Sequence, residues 1–222
     1  MSAEYEVTSR SRVRRHPERA SYDREIVHAI LDEGLICHLG FVSEGSPVVI
    51  PTMYARSGEV IYLHGAPASR MLKTLSAGVE VSLAVTLLDG LVLARSVFHH
   101  SMNYRSVVVQ GRATEVTDPD EKMLAFRALV DHVADGRWAD ARTPSAKELG
   151  ATKVLRLPLA EVSAKVRSGG PKDDPGDMAG DVWAGEIPLA LTPRWPVPAS
   201  DLIAGPKVPV YAAVYRRPGG SR

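Results

Sequence analysis

A closed antiparallel β-barrel with three inserted helices is the fold this sequence predicts. Short runs of β-formers follow one another at regular spacing. Each is closed by a turn signal such as Glu44-Gly45-Ser46-Pro47, Arg56-Ser57-Gly58 or Asp89-Gly90. Helical periodicity is confined to a few inserts between those runs, and no internal repeat is present.

Residues 1–20 are polar and Arg-rich and read as an extended, mobile arm. Tyr22 to Glu33 reads as a helix: Ser21 can cap it, Ile26, Val27, Ile30 and Leu31 share a face, and Gly34 ends it. Leu35 to Val42 and Val48 to Tyr54 follow as strands. Pro51 places the second at an edge or a bulge. Glu59 to His64 is the next strand, followed by a short helix over 67–77 that Gly78 stops. Val79 to Leu88 and Leu91 to Phe98 read as a hairpin about Asp89-Gly90, and Tyr104 to Val116 as a long strand with a bulge at Gly111.

Asp118-Pro119 opens a helix to about Ala134 with Met123, Leu124, Phe126, Leu129, Val130 and Val133 inward. Residues 135–150 read as a loop or broken helix, and Thr152 to Val166 as one long strand bent around Pro158. Ser168 to Asp177 reads as a flexible linker whose Asp173-Asp174 pair is solvated. The Pro-dense remainder carries Trp183, Ile187, Leu189, Trp195 and Tyr211, which need a surface to bury on, the chain's own barrel or a partner subunit. The predicted organisation is an arm at 1–20, a barrel domain at 21–167 and an extension at 168–222.

With 222 residues and 45% hydrophobic content, the chain can build one sizeable core. A net charge of +1 argues against nucleic-acid binding through a basic field. The single cysteine, Cys37, excludes an internal disulfide and a cysteine-built metal cage, and its apolar flanks mark a buried thiol. No apolar stretch resembles a signal peptide or spans a bilayer, so a cytoplasmic setting is expected. Hydrolase logic has the residue types but no Gly-x-Ser-x-Gly elbow. His99-His100 invites a metal or haem, but neighbours on a strand face opposite sides and no third ligand stands at metal spacing, so no metal site is assigned.

The most informative window is Val60 to Lys73. Its β-run ends at His64-Gly65, and Ser69, Arg70 and Lys73 stand at the head of the helix that follows. Arg70 and Lys73 are three apart and share a face. A hydroxyl, two cations and free backbone N–H groups at one spot suit a phosphate monoester, while the bland alternative is a capped helix with solvated basic residues.

These words, together with Phe98-His99-His100-Ser101-Met102-Asn103-Tyr104-Arg105-Ser106-Val107 and the order of elements, resemble the FMN-binding split-barrel superfamily typified by pyridoxamine-phosphate oxidase. The resemblance covers about residues 20–166 and is nearest to the flavin-nucleotide-binding branch that includes the nitroimidazole-resistance reductases. It implies a mainly β fold, a six-stranded antiparallel split β-barrel of Greek-key order. It also implies a homodimer holding FMN at the subunit interface, acting on a small molecule as an oxidoreductase. By the same resemblance Val49, Ile50, Pro51, Thr52 and Met53 lie along the isoalloxazine, and Leu63 and His64 stand near the ribityl chain and ring edge. Ser69, Arg70 and Lys73 bind the phosphate. Tyr104, Arg105 and Ser106 complete the site, with Arg105–Ser106 supplied by the other subunit. His64 is the catalytic candidate.

The oxidase pattern has basic residues where this chain has Val48 and Met53, and a Lys where it has Met71. Its substrate-reading Tyr, Arg and Ser find no match in 126–145, and its C-terminal Arg-x-His is missing. Those departures argue against pyridoxamine-phosphate oxidase activity itself. They leave a non-catalytic flavin carrier, or a haem- or deazaflavin-binding barrel, as alternatives.

Overall fold

The computed structural model describes residues 3–203 and 207–217. Its principal elements in chain order are β1 (Ala20–Ser21), α1 (Arg24–Glu33), β2 (Ile36–Ser43), β3 (Ser46–Met53), β4 (Ala55–Ser57), β5 (Val60–Gly65) and α2 (Arg70–Ser76). The second half adds β6 (Glu80–Leu93), β7 (Ser101–Arg112), β8 (Thr114–Glu115), α3 (Pro119–Val133), α4 (Arg137–Asp140), α5 (Ala146–Gly150), β9 (Lys153–Pro158), β10 (Glu161–Arg167), β11 (Gly185–Pro188) and α6 (Val210–Ala213).

All strand pairs are antiparallel, and they form two sheets rather than one continuous ladder. The larger runs β1-β10-β7-β6-β2-β3, with β11 added to β6, and the smaller runs β4-β5-β9-β8. Leu39, Leu83, Val107 and Val162 from the first sheet and Ile61, Leu63, Leu155 and Leu157 from the second share one buried core with Val27, Ile30 and Leu31 of α1. The mainly β antiparallel class is therefore as expected, and the strands are more numerous and divided differently.

Four differences have local causes. α1 begins at Arg24 because Asp23, not Ser21, accepts the Ile26 N–H at 3.0 Å. Asp89-Gly90 does not turn the chain. β6 runs straight through it as a bulge between Leu88 and Gly90, and β7 pairs along its whole length after a loop at 94–100. Gly111 carries no register shift, so the bulge lies at the other end of that pair. The expected last strand is two strands: β9 ends at Pro158 and β10 begins at Glu161 in the other sheet. On α3, Ala125 and Leu129 are the buried residues while Leu124 and Val133 face out.

The described part of the N-terminal arm and the start of the extension are both held by specific contacts. Tyr5 is buried, its N–H donates to Tyr22 O at 2.8 Å and its hydroxyl donates to Glu59 at 2.8 Å. In the expected linker, Arg167 donates to Gly169 O at 2.9 Å and to Gly170 O at 3.1 Å. Asp173 is ion-paired with Arg95 at 2.7 Å and its side chain is only 2% exposed, so it is not solvated. Cys37 is buried as expected, and burial pushes its thiol up to about 12.

Candidate functional site

The cation-bearing window is built by a strand that dives into the core and a short helix that returns over it. Ile61, Tyr62 and Leu63 are buried, and His64 and Gly65 stand half-buried where β5 emerges. A Cβ at Gly65 would sit 3.0 Å from Leu72 Cδ1, so a glycine there lets α2 close down on the strand end. Met71, Leu72 and Leu75 take the inward positions of α2, which leaves Arg70, Lys73 and Thr74 outside. Ser69 is the N-cap, and its hydroxyl makes no capping bond. With only 7 residues, α2 has a small dipole, and the two full charges dominate the local field.

Arg70, Lys73, Thr74, Ala68 and Val79 line a cavity of about 480 Å³ whose far wall is the β2–β3 turn, Val42, Ser43 and Glu44. Neither Arg70 nor Lys73 has an ion-pair partner among the described residues. The turn residues were not legible as site residues. Glu44, at φ 52°, and Gly45, at φ 77°, mark a two-residue hairpin turn, but only the fold brings that turn opposite α2.

His64 Nδ1 is buried and has no hydrogen-bond partner among the described residues. Burial also pushes the pKa of His64 down, so the ring is neutral at physiological pH. A buried polar atom left unpaired in a folded protein is rare and points to a missing partner. Leu63 beside it is fully buried in the core, which separates the side chains of these two neighbours.

Among the described residues β3 pairs only with β2 and so offers an open backbone edge, as Pro51 suggested. Along it Val49 and Pro51 are exposed, and Ile50, Thr52 and Met53 are half-buried. Tyr104, Arg105 and Ser106 lie on β7, three strand spacings or about 14 Å from β3 across β6 and β2. The Arg105 guanidinium is engaged twice: by both oxygens of Glu33, and by Asp89 at 2.8 Å and 2.9 Å. Ser106 Oγ donates to Lys165 O at 3.3 Å. Within one chain, then, Arg70 and Lys73 face the β2–β3 turn, while 104–106 lie on β7, separated from β3 by β6 and β2.

A second cavity, of about 420 Å³, lies between β4 and α3 and is lined by Asp32, Arg56, Arg127, Asp131 and His132 among others. Its charges are mutually satisfied, with Arg56 on Asp32 at 2.6 Å and Arg127 on Asp131 at 3.4 Å.

Residues 23–166 match the family described as pyridoxamine 5'-phosphate oxidase. The chain belongs to this family. The flavocytochrome Anf3 from Azotobacter vinelandii is 39% identical, with 94% of this chain and 97% of that one covered at a TM-score of 0.89. The FAD and heme binding protein from Mycobacterium smegmatis is 35% identical over 87% of this chain and 95% of its own, at a TM-score of 0.84. A putative 5-nitroimidazole antibiotic resistance protein from Bacteroides thetaiotaomicron shares the fold at 23% identity, 66% and 86% coverage and a TM-score of 0.55. No curated protein matches the chain. The family is the one the motif words resemble.

Proposed function

We propose that this protein is a redox protein carrying a flavin nucleotide. The observation that carries the reading is the Arg70–Lys73 couple, without an ion-pair partner among the described residues, facing its own cavity across from the β2–β3 turn. Two cations and the free Ser69 hydroxyl would hold a phosphate or diphosphate, and the β3 backbone would address the ring. A bound flavin supplies one- and two-electron chemistry, while the chain's residues bind it, orient it and keep water away. FMN is what the sequence resemblance implies. The 35%-identical relative is described as binding FAD and heme, which favours FAD.

A haem group is the second component of this proposal. Support comes from His64, whose buried Nδ1 lacks a partner, because a neutral imidazole nitrogen is the usual protein ligand for haem iron. The two relatives described as a flavocytochrome and as an FAD and heme binding protein point the same way. His99, the earlier haem candidate, is already engaged with Asp174 at 3.2 Å.

The working unit is a homodimer. Val49 is 65% exposed on the free strand, and Trp195 is 72% exposed in the extension, both suited to cover by a second copy. A second subunit would also bring a 104–106 segment to the cavity. Among the described residues no helix is long and apolar enough to cross a membrane, and the cytoplasmic setting remains part of the proposal.

The visible spectrum of the protein as purified tests this, followed by mass identification of the released chromophore. A flavin released on denaturation, with a Soret band in the native protein, is the expected result. A colourless protein that binds neither added FMN nor added FAD overturns it, and a released deazaflavin reassigns the site. A bound flavin that no donor reduces makes the protein a carrier.

A further inference from the structure

We propose that His99, Asp174 and Asp177 form a binding site for a divalent transition-metal cation, zinc first. One ligand atom from each of the three lies within 4.8 Å of the other two. They come from two segments far apart in sequence: His99 from the loop between β6 and β7, the carboxylates from the short turn Pro175–Asp177 and its N-cap. The turn is a 3-10 helix, in which residues three apart eclipse, so Asp174 and Asp177 project to one side. Imidazole plus two carboxylates on separate loops is a donor set that suits zinc with a water in the fourth position.

Two further observations favour a cation. The site is held in shape by bonds that use none of its three ligands. Arg95 fixes Asp173 through its backbone N–H at 2.8 Å and its guanidinium at 2.7 Å, and Arg167 fixes Gly169 and Gly170. Such a frame presents the ligands without having to order the loops on binding. The charge there is also unanswered. Asp174 pairs only with the His99 ring, and Asp177 has no side-chain partner among the described residues. The guanidinium of Arg95 pairs with Asp173 at 2.7 Å, and its buried Nε bonds neither Asp174 nor Asp177. A bound cation would neutralise both carboxylates and pin the start of the extension to the β6–β7 loop. Nothing in the flavin cavity enters into this.

Zinc chloride added to the full-length, chelator-washed protein is the test, with bound zinc counted by equilibrium dialysis. Saturable binding of about one zinc per chain is expected. His99→Ala and Asp177→Asn should each weaken it about tenfold or more, while His16→Ala, at an exposed imidazole elsewhere, should not. Zinc should also protect the 168–184 segment from proteolysis in the parent protein but not in Asp177→Asn. The asparagine is isosteric and breaks no other contact, so loss of fold does not confuse the result. Absence of saturable binding, or binding that survives both substitutions unchanged, overturns the proposal.

Discussion

Arg70 and Lys73 can meet a ligand because Met71, Leu72 and Leu75 of the same short helix supply its entire anchorage in the core. Truncating either cation should therefore leave the fold intact. Arg70→Ala should weaken flavin binding by about 1.5–3 kcal/mol, roughly ten- to a hundredfold in Kd, by titration of flavin fluorescence. An unchanged Kd would place the phosphate elsewhere. This pair was legible in the sequence since three-residue spacing on a helix is local geometry. Gly34 was legible only as a stop. Its φ of −70° needs no glycine. The requirement is tertiary: a Cβ would lie 2.4 Å from Val85 Cγ1 and 2.7 Å from the Tyr54 hydroxyl, which donates to Leu31 O at 2.6 Å. Gly34→Ala should cost about 2–3 kcal/mol in urea unfolding, the scale of an overpacked core. A loss below half a kcal/mol would show that Val85 and Tyr54 move aside freely.

The bulge in β6 shows why whole elements were harder to foresee than single residues. Asp-Gly between two β-runs is ordinarily a hairpin turn, and its local chemistry is the same in either setting. Here the alternative wins through distant contacts. Asp89 is drawn to Arg105, and Gly90 lies so close to β11 that a Cβ would sit 3.0 Å from Ile187 O. Arg105 ties that bulge to Glu33 at the end of α1, and Glu33 is buried. Removing the arginine leaves two carboxylates facing each other in a partly dry place. Arg105→Ala should therefore cost about 2–3 kcal/mol of stability, less than a fully buried pair because the guanidinium is 30% exposed. Chemical denaturation reads it, and a neutral result would mean that water already serves both carboxylates. The same reasoning explains the split of β9 from β10. Pro158 was visible in the sequence, but the change of sheet beyond it depends on which edges stand free.

At the scale of the molecule, hydrophobic pattern and turn spacing made the antiparallel β class legible, because burial on one face leaves a period-2 trace in the chain, while the family was legible only through its motif words. The seating of Tyr5 and Asp173 left no such trace. Tyr5 and Asp173 stand in polar, irregular stretches and are fixed by Tyr22, Glu59 and Arg95, far away in sequence. The long-range polar contacts also set the response to acid. His28, His64 and His132 all have folded-state pKa values pushed down by burial, His132 even though it bonds Gly34 O at 2.6 Å. The unfolded chain therefore binds more protons than the folded one just below the ordinary imidazole value of about 6.5. The stability these rings contribute is complete above that pH and is lost as pH falls through it toward their lower folded values. Glu80, held low by hydrogen bonds from Arg10 and Arg112, adds the same sign at still lower pH. The urea midpoint should fall between about pH 7.5 and 5.5, and His132→Gln, which keeps a donor for Gly34 O, should flatten that fall. A midpoint that stays level or rises on acidification would mean that these imidazoles are protonated inside the fold, and with a charged ring His64 would have no lone pair to offer a metal.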